Sequence, residues 1–142
     1  MGMFAGIEEV KVQKSSRYIT PGNYRCAIAA VKYGRTNQDD KPYFVVELTV
    51  KDSDNEEFKP GDTIAWMTML HKYKRYFFEE VKGFVAVATD STSEEVTEAV
   101  VEYCAGEEQP LVDQELFVRA WTETNQNSGK SFTRSEFRRN DN

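Results

Sequence analysis

Between Phe117 and Arg139 the chain reads FVRAWTETNQNSGKSFTRSEFRR, with four arginines, a lysine and four aromatic residues around a polar centre. Side chains of an extended strand alternate between two faces, so Phe117, Arg119 and Trp121 share one face while Leu116, Val118 and Ala120 share the other. Phe132, Arg134, Glu136 and Arg138 form a second row of this kind, and Lys130 sits at the turn between the rows. Rings set beside guanidinium groups suit an unpaired polynucleotide. Aromatic faces stack on bases at about 1–3 kcal/mol each, and arginines neutralise phosphates or lie on base planes. The competing reading packs Phe117 and Trp121 beneath a helix and lets Arg119 reach water past them.

A second cluster has the same chemistry. Lys32, Tyr33, Arg35, Lys41 and Tyr43 surround the polar stretch RTNQDDKP and combine cations with rings, as a loop at the lip of a groove would. Solvated loop charge is the plainer alternative. Trp66 reads first as core and second as a stacking platform. Lys72, Lys74 and Arg75 either extend the basic track or solvate the start of a helix.

These residues need elements to position them. TPGNYRCAIAAVKYG opens on a Pro-Gly turn and runs through β-tolerant residues to Gly34, which predicts a first long strand. In YFVVELTV, Phe44, Val46, Leu48 and Val50 alternate with Tyr43, Val45, Glu47 and Thr49, giving a second strand. The acidic loop KDSDNEEFKPGD leads to a third, TIAWMTML. The apolar period then changes to about 3.6, with Tyr73, Phe77, Val81, Phe84, Val85 and Ala88 on one stripe. Gly83 inside this helix predicts close packing or an early helix end. A second helix is predicted from Thr92 and Glu95, which have capping-box spacing, with Val96, Ala99, Val100 and Tyr103 on its inner stripe and Gly106 as its stop. ELFVRAWTE and KSFTRSEFR, joined by TNQNSG, complete a closing hairpin.

Three strands, a helical insertion over about 73–105 and two more strands make one mainly β domain over 1–142. That order predicts a five-stranded oligonucleotide/oligosaccharide-binding barrel, with an open α+β sheet as the alternative.

Charge is polarised along the chain. The net charge is −6, yet Lys11 to Lys41 carries seven basic and two acidic residues, while Asp90 to Glu115 carries nine acids and no lysine or arginine. Screening over roughly 8 Å lets a local basic face act despite the total. If three to five phosphates were neutralised, log affinity would fall against log salt with a slope of about −2 to −3.5.

Several chemistries fit poorly. His71 is the sole histidine, and Cys26 and Cys104 lie far apart in apolar patterns, so buried reduced thiols are expected rather than zinc or a histidine-dependent triad. SGKS at 128–131 has Thr124 at the first glycine position of a phosphate loop and is followed by a strand pattern. DSDNEE at 52–57 has Glu57 and Thr63 where a calcium loop needs glycine and glutamate. Glu79 and Glu80 are adjacent on a helix and do not face each other. The reading is therefore non-catalytic and needs no cofactor or metal. No apolar run approaches the eighteen or so residues that span a bilayer. MGMFAGIEEVKVQ lacks a basic-then-apolar leader, and Gly6 stands where myristoylation needs Ser or Thr; a cytoplasmic protein is expected.

PGNYRCAIAAVKYG, KPYFVVELTV, KPGDTIAWM, YFFEEVKGFVAVA and ELFVRAWTETNQNSGKSFTRSEF together resemble, in pattern and order, phage-encoded single-stranded DNA-binding proteins of the oligonucleotide-binding barrel type. The resemblance implies a protein that coats unpaired DNA during phage replication or recombination and meets replication or recombination proteins there. RNA would satisfy the same chemistry, and neither oligomeric state nor cooperativity is implied. Many replication-type members end in an acidic tail that recruits partners, whereas this chain ends SEFRRNDN; the acids from Asp90 to Glu115 are the alternative recruiting surface. A rival class, a protein-interaction module or inhibitor with an acidic, phosphate-mimicking surface, rests on the same acids.

Overall fold

Strict alternation in the second strand fixes which side of the sheet becomes the core. A computed structural model describes residues 16–36, 40–70 and 74–139. In it Phe44, Val46, Leu48 and Val50 of β3 (Pro42–Ser53) are buried together on the inner face. The same face is continued by Ile64, Trp66 and Thr68 of β4 (Thr63–Met69), by Tyr24, Cys26, Ile28 and Val31 of β2 (Gly22–Arg35), and by Leu116, Val118 and Ala120 of β5 (Glu115–Thr124). Phe137 closes it from β6 (Ser131–Arg139). These five strands form an antiparallel sheet in the order β4-β3-β2-β5-β6.

A sixth strand was not legible. β1 (Ser16–Tyr18) adds in parallel to β4, pairing Ser16 with Thr63 and Tyr18 with Ala65. Three residues are too few for alternation to declare a strand.

The closed barrel is not what the sheet forms. Closure would need β6 to pair with β4, but β6 is hydrogen-bonded to β5 and forms the edge of the sheet, while β1 takes part of the outer edge of β4. Side chains bridge the gap instead. Phe137 meets Trp66 edge to face with centroids 5.0 Å apart and Phe84 at 5.1 Å, and Trp66 and Phe84 lie 6.0 Å apart. Edge-to-face pairs of this kind add about 0.5–1.5 kcal/mol beyond the area they bury.

Phe84 belongs to α1 (Lys74–Thr89), which lies across that gap. Phe77, Val81, Phe84, Val85 and Ala88 are buried on its inner stripe as the period predicts; Tyr73 lies outside the described residues. Midway along the helix Thr68 of β4 donates to Glu80 Oε1 at 2.5 Å. At its C-terminal end the Ala88 carbonyl, which has no helical partner, accepts from Gln114 Nε2 and from the Arg139 guanidinium. The helix therefore ties β4 to β6 where the sheet does not.

Gly83 corrects the sequence reading twice. The helix runs on to Thr89, and a Cβ at Gly83 would meet nothing within 4 Å. Gly83→Ala is expected to raise unfolding stability by about 0.5–1 kcal/mol, because alanine restricts the unfolded chain at no packing cost. A loss of stability in thermal melts would contradict the open space assigned to that face.

The second helix also differs. Glu95 does accept from the Thr92 backbone N–H, but this closes only the 3₁₀ turn Ser93–Glu95. Val96 is then extended and buried, and Thr97 caps α2 (Glu98–Cys104) by accepting from Val100 N–H. Starting later turns a different face inward, so Cys104 is buried while Ala99 and Tyr103 face solvent.

Candidate nucleic-acid interface

The β5–β6 hairpin is held by its turn. Asn125 N–H donates to Lys130 O, Gly129 N–H donates to Asn125 O, and Gly129 takes a φ of +72°, which favours glycine. Register then places Phe117 opposite Arg138, Arg119 opposite Glu136, Trp121 opposite Arg134 and Glu123 opposite Phe132, all on the outer face. Phe117 and Phe132 are 42 % and 45 % exposed, and Trp121 is half-buried. Arg119 lies over the Trp121 ring with its guanidinium carbon 5.0 Å from the centroid, and the indole N–H donates to Glu123 Oε2 at 2.9 Å. The rings thus stand on the sheet surface, with Leu116, Val118 and Ala120 beneath them in the core.

Neighbouring strands extend this face. Asn23 and Arg25 of β2 pair with Arg119 and Phe117, and a cleft of about 530 Å³ runs from them past Phe117 to Arg138, with Asp52 and Asp54 at its rim. Asn23 and Arg25 are site residues absent from the sequence-based candidates; alternation in β2 carries their signal, since Tyr24 and Cys26 point inward.

Charge on the face is balanced rather than basic. Arg25 pairs with Glu115 at 3.1 Å, Arg134 with Glu123 at 3.6 Å and Arg138 with Glu136 at 3.4 Å. Arg119 is the arginine of this face that rests on a ring. Lys130 is exposed at the turn.

The first-loop cluster stands elsewhere. β2 pairs with β5 only from Gly22 to Ala27, whereas Lys32, Tyr33 and Arg35 lie beyond, where β2 pairs with β3. A register shift between Ile28 and Ala30 marks the change, and the freed edge of β2 is met at Val31 by the side-chain amide of Gln109. Lys32 reaches Glu47 at 3.5 Å, and Arg35 reaches Asp40 at 3.6 Å, so both cations are already partnered. Tyr43 lies against Gly34, where a Cβ would approach its hydroxyl to 2.8 Å, which makes its ring a packing surface. Tyr33 is exposed and Lys41 half-buried. The structure thus unites Phe117, Arg119, Trp121, Phe132, Arg134 and Arg138 on one face and leaves the first-loop residues at the far end of β2. Trp66 is core. Lys72 and the side chains of Lys74 and Arg75 lie outside the described residues.

The acidic loop has a structural role. Asp54 accepts from Asn23 N–H at 2.8 Å and from Asn23 Nδ2 at 2.7 Å, while the Asn55 amide reaches Pro21 O and Tyr24 Oη, pinning the start of β2. The Asn23 side chain, then its backbone, hold the Asp54 carboxyl below the usual carboxylate range. This contact is therefore present at neutral pH and is lost as pH falls through that lowered value.

Burial pushes the Cys26 thiol up to about 12, and Cys104 is also raised by burial. A thiolate-selective reagent at mildly alkaline pH is expected to leave both untouched in the folded protein and to label both in denaturant. Rapid labelling of Cys26 in the native state would contradict its position.

No protein-family model and no curated protein matches the chain. Among the described residues no helix is long and apolar enough to cross a membrane.

Proposed function

We propose that the chain binds single-stranded DNA with little sequence preference and no catalytic step, through the outer face of the β5–β6 hairpin. One observation carries the reading: Phe117, Trp121 and Phe132 stand on the solvent side of the sheet, interleaved with Arg119, Arg134 and Arg138. A sheet surface of rings and guanidinium groups offers an unpaired base a stacking partner and its phosphate a cation, whereas bases in a duplex hide their faces. The fold reading that goes with it is an oligonucleotide-binding barrel opened at one seam. The strand order is that of such a barrel cut between its third and fifth strands, and α1 spans the cut. On this reading the protein coats unpaired DNA exposed in phage-type replication or recombination.

The balanced charge revises the expected salt dependence. With three of the face's arginines paired to carboxylates, only about one to three phosphates gain a cation, so log affinity should fall against log salt with a slope of about −0.7 to −2. Fluorescence anisotropy of a labelled oligothymidylate at several salt concentrations measures it. A much steeper slope would mean that cations away from this face dominate.

A second reading has its own observation. Of the nine acids between Asp90 and Glu115, all but Glu115 are exposed, and Tyr103 stands among them 55 % exposed. This surface suits a basic protein partner that ordinarily grips phosphates. Retention of a basic nucleic-acid enzyme, together with no retention of oligonucleotide, would favour it.

A further inference from the structure

One part of the outer face carries groups that can tell bases apart. Register sets Asp52 of β3, Arg25 of β2, Phe117 of β5 and Arg138 of β6 in one row across four strands, with Asn23, Arg119 and Glu136 in the next. Both rows line the cleft of about 530 Å³, and Phe117 is its exposed ring.

Most of the cleft's charged groups are already engaged. Asp54 accepts from Asn23 through both oxygens, Arg138 pairs with Glu136, and Arg25 turns away from Asp52 to Glu115 at 3.1 Å. Two groups remain. Asp52 Oδ1 accepts from Ser53 N–H and keeps a second lone pair, while Oδ2 has no partner among the described residues. Arg119 lies on the Trp121 ring and is bound to no carboxylate among the described residues. Asp52 and Phe117 stand two strands apart, about 9–10 Å between backbones, so a purine lying against the Phe117 ring spans the interval with one edge toward Asp52.

We propose that this cleft reads guanine. A carboxylate accepts best from two donors side by side, and guanine is the base that presents N1–H next to its N2 amine. Adenine and cytosine offer one amine beside a ring acceptor, and thymine one N–H between two carbonyl oxygens that a carboxylate repels. Guanine also carries O6 and N7, the pair of acceptors that an arginine grips bidentately, and Arg119 has donors to offer them. The inference rests on the single-strand reading and refines it at one nucleotide, because the other rings of the face stack on any base.

The test compares three labelled strands of equal length by anisotropy: oligothymidylate, alternating dG-dT, and alternating dI-dT, in which inosine keeps the purine ring but lacks the N2 amine. A bidentate base contact at the low end of its usual worth, as suits the exposed Asp52, favours guanine about five- to tenfold. Half the registers of an alternating strand place guanine in the cleft, so dG-dT should bind about three- to fivefold tighter than oligothymidylate. The dI-dT strand should lose most of that gain, and Asp52→Asn should abolish it. The readout is the ratio of two affinities on one preparation, which cancels any change common to both strands, and thermal melts check that the variant keeps its fold. Equal binding of dG-dT and oligothymidylate overturns the proposal, as does a preference that survives inosine or Asp52→Asn, and each of these leaves the single-strand reading standing. Failure to bind any of the three strands overturns both.

Discussion

Trp121→Ala is expected to weaken binding of an oligothymidylate by roughly five- to 150-fold, the equivalent of one lost base stack of about 1–3 kcal/mol. The ring is also the platform on which Arg119 lies, so one substitution removes a stacking surface and frees the arginine that the sheet holds in place. Folding should be affected much less, with a melting point lower by a few degrees, because the ring sits on the outer face above a core that stays intact. Trp121→Phe should recover most of the affinity. Anisotropy and thermal melts on the same preparations separate the two effects. A large stability loss with unchanged affinity would make Trp121 a packing residue.

Phe137→Ala should act in the opposite way. Its ring touches both Trp66 and Phe84 where strand pairing stops, so its removal leaves a cavity at the junction of β4, α1 and β6. A loss of about 3–5 kcal/mol is expected, lowering the melting point by roughly 10–20 °C. Phe132→Ala, on the other face of the same strand, should change stability by no more than about 0.5–1 kcal/mol while weakening binding. Equal losses at the two phenylalanines would mean that β6 does not present alternate faces to core and solvent.

Much of this fold was written locally in the sequence, and what was not depends on distant partners. β3 and α1 follow from apolar periods of two and about 3.6, because a buried face must repeat at the spacing of its element, and the other long strands from β-tolerant runs bounded by Pro-Gly and glycine turns. Closure of a sheet is different. It depends on whether strands far apart in sequence meet, and no period in β4 or β6 records that β1 takes part of one edge while Trp66, Phe84 and Phe137 fill the gap. The start of α2 failed because two threonines compete as caps and only the burial of Val96 decides between them.

The candidate face shows the same division. Alternation alone puts Phe117, Arg119 and Trp121 together on one face; that the face meets solvent is visible only in the structure. The ion pairs that balance the arginines require the register of two hairpins and the approach of Glu115 to Arg25, which become visible only in three dimensions. In the sequence Lys32 and Arg35 look like open cations because their partners, Glu47 on β3 and Asp40 beyond the turn, come near only when the hairpin closes.

A face built from rings with balanced charge should distinguish strandedness more sharply than an evenly basic one, since stacking needs exposed bases while phosphates are common to both forms of DNA. The decisive measurement is competition: a labelled oligothymidylate bound to the protein, challenged with unlabelled single strand and with duplex of equal length at physiological salt. Displacement by the single strand is expected at concentrations far below those at which the duplex acts. Equal displacement by the two, or no binding of the labelled strand at all, would contradict it.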